Sequence, residues 1–292
     1  MKKILTTAIL CAGLVGFTAC DSFLDEDPKS SLTLDTYYKT SADIIGNVNY
    51  LYRDGAPDKM GNMTGAYRGS SLSVMNMVTG YFVNEYEGQE VDCSYARQLT
   101  RQDFTQSCCN YLTNDTWKSC YKSINVANAV IKYVDGVEMD NQAQYKAEAR
   151  FFRALNYFYL VKMFGDVPMV TEPTEDATLV EYPTRTAASE VFNTVIIPDL
   201  QFAVENLPNA TFAGNSHRVT KYAADMLLAD VYMRLGEYAN AVTPLKDVIN
   251  SGKFALATND NLAEGSAFNK LRTTDDPVSY THLRAHETAA NL

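Results

Sequence analysis

The stretch Tyr145–Pro168, "YKAEARFFRALNYFYLVKMFGDVP", restricts the fold more than any other. Its Lys146, Arg150, Arg153 and Tyr157 recur at i, i+4, i+7 and i+11 and form one polar stripe. Beyond Ala149 nearly every other position is apolar: Phe151, Phe152, Leu155, Phe158, Tyr159, Val161 and Met163. A helix that is apolar around most of its circumference has to be packed on most sides. Gly165 supplies a stop signal and Pro168 prevents resumption. The basic stripe has two readings, an anion site or a row of partners for acids on a neighbouring helix. Buried cations need counter-charges, so the second is the expectation.

The rest of the chain reads as companions for this helix. Ser41 is the predicted cap of a helix whose Ile44, Ile45, Val48, Leu51 and Tyr52 recur at helical spacing. Residues 55–88 are rich in Gly, Asn and Ser and read mostly as loop, with a helix near Leu72–Val78. "NDTWKSCYKSINVANAVIKYV" predicts a helix capped by Asn114 or Asp115 and ended by Asp135-Gly136. Trp117, on that amphipathic helix, is read as core. A further helix is entered near Thr186 and carries Val191, Val195, Ile196, Leu200, Val204 and Leu207. Pro198 inside it predicts a kink. "VTKYAADMLLADVYMRLGEYANAVTPLKDVINSGKFAL" reads as two helices joined at Gly236, with Pro244 as a kink point in the second.

The N-terminus has a different character. Lys2 and Lys3 precede a mostly apolar run, Ile4–Phe17, that is shorter than the roughly 20 residues a spanning helix needs. It suits the apolar region of an export signal. Small Ala19 then precedes Cys20, an arrangement that resembles the lipobox of bacterial lipoproteins. Residues 1–19 are therefore read as a lipoprotein signal peptide and Cys20 as the lipid attachment point. Stable anchoring takes two or more acyl chains. Asp21, Asp25, Glu26 and Asp27 follow, within an extended acidic tether at residues 20–40. The full chain carries formal charge −10. Loss of Lys2 and Lys3 makes it more acidic still, which disfavours nucleic acid and anionic lipid surfaces as partners. Cys93, Cys108, Cys109 and Cys120 remain. They are read either as buried thiols or as a disulfide framework with three possible pairings. No CxxC or nearby His completes a zinc set, so no metal is expected.

The last helix pair fits a degenerate tetratricopeptide pattern. Counting Tyr222 as its first position, Leu228, Ala229, Tyr232, Ala241 and Leu245 occupy the small and large sites. Asp225 stands where the pattern usually has Trp. "CDSFLDEDP", "WKSCYKSINVANAVI", "AEARFFRALNYFYLVKMFGDVPMV", "YPTRTAASEVFNTVIIPDLQFAVENLP" and "HRVTKYAADMLLADVYMRLGEYANAV" follow one another in fixed order. Together they closely resemble the SusD/RagB family of Bacteroidetes outer-membrane lipoproteins, over about Cys20–Leu256.

The resemblance implies an all-α body of tetratricopeptide-like helix pairs with long irregular loops, spanning residues 41–277. It implies capture of nutrients at the cell surface, glycans in most members and peptides in some. A SusC-like TonB-dependent transporter is the implied partner. The acids after Cys20 resemble the signal that sends such lipoproteins to the outer leaflet of the outer membrane. Family members are about twice as long, so the resemblance places the C-terminal half that shares in the ligand site outside this chain. "VSYTHLRAHETAANL", residues 278–292, departs from the family pattern and reads as an atypical tail. Its His282 and His286 are not taken as metal ligands.

The resemblance also directs the ligand to the region around residues 60–113. There Arg68, Tyr81, Asn84, Tyr86, Tyr95 and Arg97 combine aromatic faces with polar groups that fix orientation, as sugar recognition requires. Glu85, Glu87, Glu90 and Asp92 allow a rival reading as a glycoside hydrolase, which needs two carboxylates about 5–9.5 Å apart. A tetratricopeptide scaffold for protein partners is a third reading. The chain has no HExxH, GxSxG or Walker loop, and neither catalysis nor a cofactor is expected.

Overall fold

The computed structural model describes residues 33–54, 101–102, 106–174 and 183–254. The chain divides into two compact units, Met1–Tyr37 and Tyr38–Leu292. In the first, the described residues form one helical turn, α1 (Leu34–Tyr37), in which the Thr36 hydroxyl donates to the Thr33 carbonyl at 3.0 Å. That part of the leader is turned, not extended.

The second unit contains α2 (Ser41–Asp54), α3 (Gln106–Tyr133) with a 3-10 turn at Val134–Gly136, and α4 (Gln142–Phe164). It continues with α5 (Ala188–Val191), a π segment (Phe192–Ile196), α6 (Ile197–Asn206), α7 (Lys221–Arg234) and α8 (Tyr238–Asn250). Among the described residues there is no strand, only an isolated bridge between Val167 and Thr186. The fold is all-α, as the sequence predicts.

Helix α4 is the centre. It packs against α2, α3, α6 and the π segment. Tyr157, Phe158 and Leu160 are buried on it, as are Phe151 and Phe152. Gly165 closes it at φ +67°, a conformation other residues rarely adopt, with its N–H on the Val161 carbonyl. Trp117 is half-buried, edge-on to Phe164 at 5.1 Å, with the Arg185 guanidinium 5.5 Å above its ring.

Three helix boundaries differ from the sequence reading. The cap of α2 is Thr40, one residue before Ser41. The Thr40 N–H and hydroxyl donate to the Asp43 carboxylate at 2.8 and 2.7 Å, a capping box. Helix α3 begins at Gln106, eight residues before Asn114. The polar Gln-Ser and Asn around its two cysteines hide the apolar period there. Pro198 produces no simple kink. The turn before it widens into the π segment, and the Ile197 N–H reaches back to the Phe192 carbonyl. Proline cannot donate to the preceding turn, and a π bulge takes up the broken register.

Helices α7 and α8 form the tetratricopeptide-like pair. Gly236, at φ +75°, makes a Schellman turn: its N–H reaches the Met233 carbonyl at 3.1 Å, and the Glu237 N–H reaches that of Tyr232 at 2.8 Å. Ala229 and Ala241 are buried in the pair. Buried Asp225, in place of the pattern's Trp, accepts from Lys221 Nζ at 2.7 Å, and the same ammonium reaches Asp247 on α8 at 2.8 Å. An ionic stitch thus replaces an aromatic plug. Helix α8 continues through Pro244, which is buried.

Candidate functional site

Helices α2 and α3 run antiparallel. Tyr38, just before α2, stacks on Tyr133 at 5.2 Å, and Lys122 lies 5.4 Å over Tyr50 near the other end. Asp54, the last residue of α2 before the segment 55–105, therefore lies beside the middle of α3. Arg68, Tyr81, Asn84, Tyr86, Tyr95 and Arg97 lie in that segment and outside the described residues, as do Glu85, Glu87, Glu90, Asp92 and Cys93. The same is true of Cys20, Asp21, Asp25, Glu26 and Asp27. Cys108 and Cys109 fall in α3, in a part whose side chains are not described. Cys120 is a buried thiol.

Near the C-terminal end of α2 the structure has a cleft of about 370 Å³, lined by Asn49, Tyr52, Ser216, His217 and Arg218. Its floor is ionic. Glu148 of α4 has no exposed surface and receives Arg218 Nε at 2.9 Å and Nη2 at 2.5 Å. The Tyr52 hydroxyl donates to Glu148 at 3.0 Å and accepts the Val219 N–H at 2.9 Å. Gln144 supplies a further donor at 3.0 Å. The guanidinium lies 4.7 Å from the Tyr52 ring and 5.2 Å from the Tyr145 ring. Its Nη1 donates to Asn49 Oδ1 at 2.8 Å. Burial pushes the Tyr52 hydroxyl well above its ordinary pKa, and the Glu148 charge adds to this. Burial pulls Arg218 down, but its hydrogen bonds to Glu148 and that residue's charge outweigh the effect and raise it.

The charged groups of this cleft are already committed to one another. The arginine is neutralised by its carboxylate and the tyrosine is held protonated. The carboxylates Asp225 and Asp247 share one ammonium, which makes them a clamp between helices and not an acid–base pair.

The basic stripe of α4 meets acids, as expected. Lys146 pairs with Asp135 beyond α3. Arg153 holds Asp199 of α6 through two bonds, Nε to Oδ2 at 2.6 Å and Nη2 to Oδ1 at 2.8 Å, and donates to Asn128 Oδ1 at 2.9 Å. Arg150 lies 3.7 Å from the same carboxylate and 4.2 Å over the Phe202 ring. Asp199 is 2% exposed. Burial raises its pKa, and Arg153 opposes the rise.

Beyond Gly165 the chain crosses α3 as an extended arm. Tyr121 donates to the Pro168 carbonyl at 2.6 Å. Tyr157 holds both the N–H and the carbonyl of Val170, at 2.7 and 2.8 Å. Asn128 reaches the Val170 and Glu172 carbonyls, at 3.0 and 3.2 Å. Side chains thus satisfy a backbone that belongs to no helix or sheet.

Glu148 and Arg218, 70 residues apart, were not among the residues singled out from the sequence. One signal was present: Glu148 is the only acid in Tyr145–Phe164, and a lone carboxylate in an apolar helix has to find a cation.

Residues 22–233 match the SusD-like family described as starch-binding and associating with the outer membrane. The chain is 29% identical over 254 residues to SusD-like protein P2 of Formosa agariphila, covering 86% of this chain and 47% of that protein. A laminarin-binding SusD-like protein superposes with a TM-score of 0.59 at 25% identity, over 72% of this chain and 43% of the other. A SusD superfamily protein from Parabacteroides distasonis gives 0.60 at 25% identity, over 75% and 47%. The chain spans about half the length of the relatives it matches.

Proposed function

This chain belongs to the SusD-like family, and we propose that it captures glycan oligosaccharides at the outer membrane for uptake through a SusC-like TonB-dependent transporter. The family match over residues 22–233 carries the reading. The helical frame supports it, since α2 ends beside a polar cleft lined by Asn49, Tyr52 and Arg218. Arg68, Tyr81, Asn84, Tyr86, Tyr95 and Arg97 are the proposed ligand contacts, Cys20 the proposed lipid anchor, and Asp21, Asp25, Glu26 and Asp27 the proposed export signal.

Affinity electrophoresis of the full chain in gels containing laminarin, xyloglucan or amylose tests the proposal, with soluble products assayed in parallel. Retardation without products is expected, and Tyr81→Ala with Tyr86→Ala should reduce it at least tenfold. Product release would turn the reading toward a hydrolase. Retardation by peptides alone would turn it toward peptide capture. Cys20→Ala should move the protein into the soluble fraction, and persistent membrane association would remove the anchor.

A further inference from the structure

We propose that Arg150, held against Phe202 at the seam of α4 and α6, is a binding site for one carboxylate, carried by a small organic acid or by the uronate unit of an acidic saccharide. The inference rests on the ion pairing of α4 and is independent of the glycan reading. Laminarin, xyloglucan and amylose carry no carboxylate, so the two tests fail separately.

The stripe of α4 carries more positive charge than its partners cancel. Lys146, Arg150 and Arg153 are all cations, and the described acids within ion-pair distance of them are Asp135 and Asp199. Lys146 takes Asp135. Arg153 takes both oxygens of Asp199, Oδ2 at 2.6 Å and Oδ1 at 2.8 Å. Arg150 is left with a 3.7 Å approach to Asp199 Oδ1, which is attraction without a hydrogen bond. Its Nε is buried and has no acceptor among the described residues. A guanidinium has five N–H donors, and a buried donor without a partner calls for an explanation. The side chain is 25% exposed, so an acceptor from outside can reach the group.

The surroundings select the ligand. The Phe202 ring lies 4.2 Å from the guanidinium and restrains its plane, so little freedom is lost when an anion docks. A planar fork receives a carboxylate through two parallel N–H bonds, a geometry that a spherical ion such as chloride cannot use. Lys146 stands one turn before Arg150 on the same face and adds positive potential. Long polyanions are disfavoured, because the chain as a whole carries −10 and Glu205 is exposed on α6 three residues after Phe202. A ligand with a single carboxylate meets the local charge without meeting the global one.

Titration of the full chain with sodium acetate and with sodium glucuronate at constant ionic strength, followed through the arginine Nε–Hε NMR signals, tests this. A saturable shift of the Arg150 signal is expected with both, the Arg153 signal staying in place and glucose and chloride having no effect. Glucuronate binding at least tenfold tighter than acetate would identify a saccharide as the source of the carboxylate, and equal affinity a small organic acid. Arg150→Lys keeps the charge but loses the fork. It assigns the signal and should weaken the response of the Phe202 amide at least tenfold, with far-UV circular dichroism matching the parent. Four outcomes overturn the proposal. Neither carboxylate gives a saturable shift, chloride reproduces the shift, or the Phe202 response survives Arg150→Lys. In the fourth, acetate binds only after Glu205→Gln, which would make Glu205 the partner of Arg150.

Discussion

Helix α4 donates an arginine to one buried ion pair and a glutamate to the other, and the two pairs sit in different surroundings. Arg153 and Asp199 are sealed between α3, α4 and α6, with Asn128 taking a remaining donor. Glu148 is equally buried, but its partner Arg218 lines an open cleft. The same chemistry therefore serves two ends. The sealed pair can only fix helices against one another. The open pair fixes the last turn of α2 and leaves polar groups facing solvent where the 55–105 segment begins.

The sharpest break is at the sealed pair. Arg153→Met leaves the buried Asp199 carboxylate only Arg150, 3.7 Å away, and should cost about 3–5 kcal/mol in urea unfolding, while Arg153→Met/Asp199→Leu should recover part of that loss. A single-variant cost under 1 kcal/mol would show that water reaches Asp199. Arg218→Met should cost less, about 2–3 kcal/mol, because water entering the cleft can solvate Glu148. Equal costs at Arg153 and Arg218 would erase the distinction between the pairs. Tyr52→Phe removes one donor to Glu148 and the acceptor of the Val219 N–H, for about 1–1.5 kcal/mol. No change in stability would mean that water replaces the hydroxyl.

The smallest effect tests a fully open contact. Thr40→Ala should cost roughly 1 kcal/mol through loss of the helix cap. Hydrogen bonds from the Thr40 side chain and backbone hold Asp43 below its usual pKa. A carboxyl lowered in the folded state stabilises it above the unfolded pKa and stops doing so as pH falls through the folded value. The gap between parent and Thr40→Ala should therefore narrow below about pH 4. A constant gap down to pH 2 would take Asp43 out of the box.

Much of this arrangement was legible in the sequence. The all-round apolarity of Tyr145–Phe164 marked the central helix, and the stripe Lys146, Arg150, Arg153 foretold partners in acids. Gly165 and Gly236 marked their turns. These are local signals, set by period and backbone freedom. The partners were less legible. That Arg153 would take Asp199, and Glu148 would take Arg218, depends on which helices lie together, and contacts 46 and 70 residues apart leave no periodic trace. The start of α3 was missed because polar residues surround Cys108 and Cys109 there, and the π segment because a proline signals disruption without saying what form it takes. The proposed ligand contacts rest on aromatic residues in a segment that has no helical period to place them.

The π segment has a consequence for how this chain tolerates length changes. Its five residues, Phe192–Ile196, set the phase of everything that follows in α6, where Asp199, Leu200 and Ala203 share the buried face. The wide turn holds one residue more than an α turn would, so deleting one there would tighten it to an ordinary helix and leave α6 close to its present phase. Leu200 and Ala203 would keep their places in the core, together with the carboxylate that Arg153 needs. An insertion, with no second wide turn to absorb it, would rotate α6 by about 100° and carry the same residues out. The stretch Phe192–Ile196 thus tolerates shortening better than lengthening, although none of its residues belongs to the ion pair it aligns.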